Sequence, residues 1–531
     1  MSVNERFFGL LDRFQTGSLP RREFLKGAAA LGLGAQAAAI AASPRRAAAQ
    51  ATPSTLTPAG ELTAVFPRSL VALDPHGAQS VEETTAVVST HLHGTLISRD
   101  PATGELVPRL ALSWEATDDL TWTFTLREGV TFHDGSAFTS ADVKASLERV
   151  IAQEGPLAPL WEPVTAVETP DPLTAVIRTS TPLGTAPVSA TLLYIAPAAI
   201  LESDTFASQP FGLGSYSLVS WEPDSEIRME ANPNFWAGAP GLQSLVFRDV
   251  PETSGRVTAI ETGEIDFTYG LPADQLPALQ ENNELRIDPV SSYAYYFVWF
   301  NATREPFTNP LVRQAMAHAL DIDTMVNDLL QGVAVRAQAP IPSTIFGFAP
   351  QTPYAYDPEL ARSLLEQAGF PDGFSTTFQW NPGSGPQDRE LALTMISNWA
   401  EIGVTVENLE KERAVWLEDL LALNWDMNFQ TNTVRTGDAD FTLRRLYVSS
   451  ANRTGYANPE LDTLLNDAAA ASDPATREGL YAEACRIIWD EAVGIFPFEL
   501  QENYISRNRV QGFVPAPNSI PSFETVTVTE E

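Results

Sequence analysis

The stretch WTFTLREGVTFHDG at residues 122–135, followed by FTSADV at residues 138–143, contains the clearest folding signals in the chain. Apolar residues alternate with threonines over Trp122–Leu126, which is the pattern of a half-buried β-strand. Thr139 and Asp142 have the three-residue spacing of a capping box, which marks the start of a helix. The two stretches therefore predict a strand, a turn and a helix in succession.

The same alternation of strands and helices is predicted further along the chain. Strand-like segments occur at residues 62–66, 374–380 and 404–406. Four predicted helices begin with an Asx residue followed by proline, because the Asx side chain accepts the first free N–H groups and proline at the next position loses no needed donor. These pairs are Asn309-Pro310, Asp357-Pro358, Asn458-Pro459 and Asp473-Pro474. The fold class predicted is mixed α/β.

Length and charge exclude several functions. The chain has 531 residues, with 33 Lys and Arg against 67 Asp and Glu, a formal net charge of −34. Such a charge repels phosphate backbones, so no nucleic-acid partner is expected. The length suggests about three domains at roughly 150 residues each. Cys485 is the only cysteine, so no intrachain disulfide can form, and we expect it to be buried in a helix.

The first 49 residues have the three parts of a signal peptide. A basic patch containing Arg21 and Arg22 precedes an Ala-rich apolar run at residues 28–42, and small residues precede a cut after Ala49. The Arg-Arg-x-Phe-Leu-Lys string resembles the twin-arginine export motif. No cysteine lies at the end of the apolar run, so we expect an exported, soluble protein without a lipid anchor, located in the periplasm. The alternative is an amphipathic N-terminal helix.

Catalytic and metal-binding motifs are scarce. We find no phosphate-binding loop, no zinc-protease helix and no nucleophile elbow. His91 and His93 could lie on one face of a strand, but a metal site would need a third ligand such as His76 or His133. Two partly exposed polar residues at a strand end are the favoured interpretation. No cofactor, no metal and no catalytic residue are expected.

Two tracts in the second half of the chain stand out. Aromatic residues fill Tyr293–Phe300, and strand alternation puts Tyr295 on one face and Tyr296 on the other, mostly in the core. Residues 424–440 predict a strand that runs into a polar loop before a helix. Loops of this kind often carry ligand-binding groups, although a solvated loop with Asp440 as helix cap is an equal alternative.

A set of motifs resembles family 5 of the extracellular solute-binding proteins, the peptide- and nickel-binding receptors of ABC importers. The motifs appear in family order over nearly all of residues 61–515. They are the 122–135 and 138–143 stretches, Asn232–Gly238, Gly263–Asp266, Phe300-Asn301, Pro306-Phe307, Val312–Ala315 and the segment from Tyr356 to Gly369.

The resemblance implies a periplasmic-binding-protein-like fold of two lobes that close on a ligand, with an extra domain inserted in the N-terminal lobe. The boundaries expected are a signal peptide at 1–49, lobe I at 50–90, 210–299 and 495–531, the inserted domain II at 91–209, and lobe II at 300–494.

The resemblance also implies where ligand-binding residues lie. Family pockets draw on an early Asp-Pro loop, a loop after the first strand of lobe II, and a segment that matches Thr431–Asp440 here. Arg435 falls near a position where peptide-binding members tend to carry an acid, so a carboxylate- or phosphate-bearing cargo is expected there. The predicted ligand-binding residues are Arg435, Asp438, Asn432, Trp380, Asn381, His76 and Tyr295.

The function expected is that of a monomeric periplasmic receptor of an ABC transporter. It would capture a small hydrophilic solute, peptide-like or opine-like, in an interlobe cleft and deliver it to an inner-membrane permease. The alternatives are a secreted enzyme on the same scaffold and a binding protein that serves a chemoreceptor.

Overall fold

The computed structural model describes residues 56–203, 205–250 and 252–529, which alternate between strands and helices throughout. The predicted signal peptide at 1–49 lies outside these residues. The strands are β1 Glu61–Val65, β2 Gly94–Thr95, β3 Ile97–Arg99, β4 Leu106–Pro108, β5 Ala111–Asp118, β6 Thr121–Leu126, β7 Val164–Asp171, β8 Thr174–Thr179, β9 Tyr194–Ile195, β10 Tyr216–Glu222, β11 Glu226–Ala231, β12 Ser244–Arg248, β13 Phe267–Thr268, β14 Leu285–Phe300, β15 Ala334–Arg336, β16 Ser375–Trp380, β17 Thr405–Glu410, β18 Met427–Thr433, β19 Gly494–Arg507, β20 Val510–Gln511 and β21 Thr527–Val528.

The α-helices include the longest elements of the second half of the chain. They are α1 Glu83–Leu92, α2 Ser140–Ala152, α3 Ala186–Ser189, α4 Thr253–Thr262, α5 Leu276–Gln280, α6 Pro310–His318, α7 Ile322–Thr324, α8 Pro358–Gln367, α9 Asp388–Glu401, α10 Arg413–Leu421, α11 Asp440–Tyr447, α12 Pro459–Ala470 and α13 Pro474–Asp490. Within the described ranges, no helix has the length and apolar character needed to cross a membrane.

The predicted helix starts are confirmed. Thr139 and Asp142 form the capping box of α2. At the four Asx-Pro sites, the Asx side chain accepts a backbone N–H of the first turn, at 2.9–3.0 Å. Gly369 follows α8 with a φ of 92°, a left-handed conformation that glycine adopts at no steric cost. Cys485 is fully buried in α13, as predicted.

One large sheet runs through the molecule. Its strand order is β10-β11-β12-β1-β13-β19-β14-β18-β16-β17, and β15 pairs with β19. The two long strands β14 and β19 pair antiparallel from Leu285 opposite Arg507 to Trp299 opposite Gly494. Parallel pairs lie on both sides of them, with β1 beside β12 and β13, and β16 beside β17 and β18. The long strands therefore join two α/β halves.

The aromatic tract packs as predicted. Tyr293, Tyr295 and Phe297 of β14 belong to one buried apolar cluster, and Tyr296 belongs to another on the opposite face of the strand. A separate four-stranded sheet, β5-β6-β8-β7, and the small pairs β2–β9 and β3–β4 are built from residues 94–195.

The prediction that His91 and His93 lie on a strand is wrong. His91 lies near the end of α1, and both imidazoles are buried. Nδ1 of His91 contacts Val87 O at 2.7 Å, and Nε2 accepts the Phe523 N–H at 3.0 Å. Burial lowers the pKa of His91 to about 4, so the ring is neutral. No group of three or more His, Cys, Asp or Glu with metal-binding geometry occurs among the residues described.

Candidate ligand-binding cleft

A cavity of about 710 Å³ lies between the two halves of the sheet. Loops that follow β1, β13 and β16 contribute to its lining, together with the starts of α1 and α10, the end of β18 and the middle of β14 and β19. In open α/β sheets, ligands bind outside the carboxyl ends of parallel strands, and β1, β13 and β16 each belong to a parallel pair. The position and size of the cavity are those of a small-molecule site.

A break in strand pairing helps to open this cavity. Between Ser291 and Tyr295 the register of β14 against β19 shifts, because three residues of β14 stand opposite Leu500 alone. Within this bulge the Tyr293 N–H donates to Pro517 O at 2.7 Å and not to the neighbouring strand. Ser292 and Ala294, on either side of it, line the cavity.

One side of the cavity is acidic. Glu502 on β19 accepts the Gly270 N–H at 3.1 Å and the Ser519 hydroxyl at 3.2 Å. Glu83, the first residue of α1, accepts the Tyr269 hydroxyl at 2.6 Å. In the part of the chain that the structure describes, no Lys or Arg lies within 4.0 Å of the Glu502 carboxylate. Glu502 is therefore an acid held by neutral donors.

The two acids influence each other. Burial, followed by the nearby Glu83 charge, raises the pKa of Glu502 to about 8. Glu502 therefore keeps a proton at neutral pH while no cation is near it. An ammonium group bound here would neutralise the site and bring this pKa down, so the acidic side suits a cationic part of a ligand.

The other side of the cavity is basic. Arg445 on α11 donates to Asn432 Oδ1 at 2.8 Å and to Phe441 O at 3.0 Å, both neutral oxygens. Burial lowers the pKa of Arg445 to about 10, which leaves it charged at neutral pH. Arg435 lies between the two sides, because it donates to Asn518 O at 2.7 Å and its other terminal nitrogen lies 4.0 Å from the Glu83 carboxylate. Both guanidinium groups keep N–H groups for a ligand anion.

The lining carries more cations than anions. It contains five arginines, Arg68, Arg256, Arg413, Arg435 and Arg445, and three glutamates, Glu82, Glu83 and Glu502. Five against three leaves a formal excess of two positive charges, within a chain whose net charge is −34. A positive excess in the lining of a negatively charged protein favours a ligand with at least one anionic group.

Charged contacts join the two rims of the cavity. Glu82 pairs with Arg413 at 3.1 Å and lies 3.9 Å from Arg68. Arg68 also donates to Gly383 O at 3.0 Å. Glu82 and Arg68 belong to the half that contains β1, whereas Arg413 and Gly383 belong to the half that contains β16, so the rims touch.

Comparison with known proteins identifies the family. The model for bacterial extracellular solute-binding proteins, family 5 Middle, matches residues 105–454. The glutathione-binding protein GsiB of Pectobacterium atrosepticum is 31% identical over 488 residues, which cover 87% of this chain and 93% of that protein. The chain belongs to family 5 of the bacterial extracellular solute-binding proteins. Its role is that of a substrate-binding receptor.

Solved structures of binding proteins share the fold. The periplasmic binding protein DppA from Helicobacter pylori, in complex with the peptide STSA, is 26% identical with a TM-score of 0.78, covering 89% of this chain and 98% of that one. AgaA from A. tumefacien R10, in complex with agropinic acid, is 24% identical with a TM-score of 0.77, covering 89% and 99%. These similarities confirm the predicted two-lobed α/β fold.

Three of the predicted site residues line the cleft. Asn381 follows β16, and its Oδ1 accepts the Ser384 hydroxyl at 2.9 Å. Asn432 lies at the end of β18. Its Oδ1 accepts a hydrogen bond from Arg445, and its Nδ2 donates one to the Thr442 hydroxyl. Arg435 lies just beyond the same strand. The structure brings these residues together because β16 and β18 are neighbours in the sheet.

The other four predicted residues are buried and are not among the residues that line the cleft. Trp380 donates to Asn408 Oδ1, and Tyr295 packs in the core. The Nε2 atom of His76 lies 2.7 Å from Tyr194 O, and burial lowers the pKa of His76 to about 4.

Asp438 is the most instructive of these four. Its carboxylate accepts from Arg477 at 2.7 Å and from the Asp440 N–H at 3.0 Å, and its side chain is only 2% exposed. Burial raises the pKa of Asp438 in spite of that arginine. Asp438 therefore holds the loop that carries Arg435.

Sequence reasoning missed Glu83, Glu502 and Arg445. Glu502 is an acid within an otherwise buried strand, and Glu83 is the first residue of a helix whose following residues are buried. Ionisable residues within buried segments are uncommon without a partner, so an acid in an otherwise apolar segment was the sequence signal that could have identified these residues.

Proposed function

We propose that the protein is the periplasmic receptor of an ABC importer, and that its cargo is a short peptide or peptide-like zwitterion. The cargo's ammonium group would contact Glu502 and Glu83, its carboxylate would contact Arg445, and Arg435 would contact the cargo between these two ends. The receptor would then deliver the cargo to an inner-membrane permease.

One observation carries this proposal: unpaired acidic and basic side chains line the same cleft. Glu502 is held by neutral donors, and Arg445 is held by neutral acceptors. A buried carboxyl that must keep its proton and a buried guanidinium without an ion partner are both costly, so selection for binding complementary charges accounts for them.

The distance across the sheet suits a short ligand. Asn432 pairs with Tyr295, which pairs with Glu499, and Glu502 lies three residues further along β19. With strands about 4.8 Å apart and a rise of about 3.3 Å per residue, the Cα atoms of Asn432 and Glu502 are roughly 14 Å apart. Both residues line the cleft, and this span has room for an extended ligand of about two or three residues at about 3.5 Å each.

The named relatives support this cargo class. Glutathione, the peptide STSA and agropinic acid are the ligands in the names and titles of three similar proteins. The first two are peptides with an amino group and a carboxylate. These relatives are binding proteins, which supports a receptor that has no catalytic step.

The remaining features of the proposal come from the sequence. The signal peptide at 1–49 directs export to the periplasm by the twin-arginine route. Lobe I comprises 50–90, 210–299 and 495–531, domain II is the insertion 91–209, and lobe II is 300–494. The receptor acts as a monomer and without a lipid anchor.

A thermal-unfolding screen tests the proposed function. The mature protein would be heated with Ala-Ala, Ala-Ala-Ala, glutathione, an opine, maltotriose and a nickel–histidine complex. A receptor gains RT ln(1 + [L]/Kd), about 2.7 kcal/mol at one hundred times Kd. We expect stabilisation by at least one peptide and none by maltotriose. Stabilisation by the sugar or the nickel complex alone would contradict the cargo class, and conversion of a bound compound would contradict the receptor.

A further inference from the structure

A second cavity, of about 360 Å³, shares Arg435 with the cleft. It lies among β2, β3, the β9 strand and the C-terminal segment at 514–525. Its charged lining residues are Arg99, Arg109, Arg435 and Glu524. Because Arg435 contributes to both cavities, a ligand in the cleft lies next to this side cavity.

The charges in the side cavity are unbalanced. Arg109 and Glu524 pair through two contacts, the shorter at 2.7 Å, and so neutralise each other. Arg99 donates to the carbonyl oxygens of Thr436 and Gly104, and no carboxylate lies within 4.0 Å of it in the described ranges. Arg99 is therefore a cation without an adjacent anion, and Arg435 has one carboxylate near it, that of Glu83 at 4.0 Å on the side of the main cleft.

The loop around Arg435 is shaped to hold Arg99 in this place. Arg99 Nε donates to Thr436 O at 2.8 Å, one residue after Arg435. A Cβ atom at Gly437 would lie 2.7 Å from Arg99 Nε and 2.9 Å from the Tyr293 ring, closer than real Cβ contacts. Gly437 also has a φ of 66°, so glycine is needed here on both counts. The backbone thus packs directly against Arg99 and Tyr293.

We propose that the side cavity is a subsite for a second carboxylate of the cargo, bound by Arg99 and Arg435. This inference rests on the proposed function, since the rest of the cargo occupies the main cleft. Two guanidinium groups bind a carboxylate through charge-assisted hydrogen bonds, and partial burial strengthens them. The preferred cargo is then a peptide-like solute with an acidic side chain in addition to its terminal carboxylate.

Calorimetric titration with six tripeptides tests the subsite. Each peptide is Ala-Ala-Ala with glutamate or glutamine at one of the three positions, so each pair differs in one charge. At one position we expect the wild-type protein to bind the glutamate peptide at least about tenfold more tightly than its glutamine partner. The position identifies which side chain reaches the side cavity.

Two variants assign that preference to the cavity. Arg99→Gln removes one cation, and Ser98→Phe fills the cavity while both arginines remain. Each is expected to reduce the glutamate preference to less than about threefold. Ser113→Phe, at an exposed position on β5, is the matched control and should keep the full preference. If Arg99→Gln does not fold, because its two carbonyl contacts are lost, Ser98→Phe decides.

The outcomes separate the two proposals. If peptides bind but no glutamate preference exists, or if it survives in both variants, the subsite is refuted and the proposed function stands. If the wild-type protein binds none of the six peptides and none of the screened peptides, the proposed function fails and the subsite fails with it.

Discussion

Replacing Glu502 by glutamine separates a binding role from a structural one. Cargo affinity should fall, whereas the stability of the empty protein should rise. Glutamine keeps the shape, its amide oxygen can still accept the Gly270 N–H, and its NH2 group can donate to the Ser519 hydroxyl oxygen. It cannot carry the negative charge that an ammonium group needs. Loss of one charge-assisted hydrogen bond costs about 1.5–3 kcal/mol, or roughly ten- to a hundredfold in affinity.

The same substitution should stabilise the empty protein. In the unfolded chain the Glu502 carboxyl ionises near its ordinary pKa of 4.5, whereas in the folded chain burial and Glu83 raise this pKa to about 8. Between these values the folded protein binds more protons than the unfolded one, so wild-type stability falls as pH rises through this window. Glutamine does not ionise, so the Glu502→Gln variant does not lose this stability as the pH rises.

The size of this stabilisation follows from the pKa difference. At about 1.4 kcal/mol per pKa unit, the shift sets an upper limit of about 5 kcal/mol. Because the side chain of Glu502 is only partly buried, we expect about 1–3 kcal/mol at pH 8.5 and almost no difference at pH 4.5.

Two measurements check this prediction. Calorimetric titration compares wild type and Glu502→Gln with a bound tripeptide and its N-acetylated form, and denaturant unfolding is measured at pH 4.5 and 8.5 without ligand. Glu499→Gln is the matched control, since Glu499 lies on the same strand, bonds Ser343 and does not line the cleft. The reasoning is refuted if Glu502→Gln binds the free tripeptide within about twofold of wild type, or if the N-acetylated form binds as tightly as the free one.

Three further predictions concern other parts of the account. Arg435→Ala should weaken cargo binding about ten- to a hundredfold in calorimetry and lower the unfolding free energy by only about 1 kcal/mol, because one hydrogen bond to a carbonyl is lost; affinity within twofold of wild type would exclude a cargo contact. Asp438→Ala should lower the unfolding free energy by about 3–5 kcal/mol, because it leaves the Arg477 charge buried and unpaired, and a loss below 1 kcal/mol would contradict that structural role. Replacing the arginines at 21–22 by lysines should keep the protein out of the periplasm, and intact-mass analysis of exported wild type should find Gln50 as the first residue rather than Met1.

Features set by neighbouring residues could be predicted from the sequence. The Asx-Pro helix starts, the capping box and the Gly369 helix end depend on contacts within about four residues, so local chemistry determines them. The faces of β14 were also predictable, since side chains alternate along any strand. His91 shows the limit of such reasoning, because a short segment of alternating residues can also be the end of a helix.

The cleft could be predicted only in part. Asn432 and Arg435 were found because they lie in the segment Thr431–Asp440, which matches a family pocket segment, whereas Arg445 was missed. The acidic side of the cleft was missed because Glu83 and Glu502 are far apart in the chain and meet only through the order of β1, β13 and β19 in the sheet. The polarity of Asp438 suggested a ligand contact, but a distant partner, Arg477, accounts for its charge.

Calorimetric titration of the mature protein with end-blocked tripeptides tests the central claim most directly. The peptide with the largest effect in the thermal screen would be titrated in its free, N-acetylated and C-amidated forms at pH 7. We predict binding of one free peptide per protein, at least about tenfold weaker binding of each blocked form, and recovery of the peptide unchanged. Equal affinity for all three forms, or cleavage of the peptide, would contradict this claim.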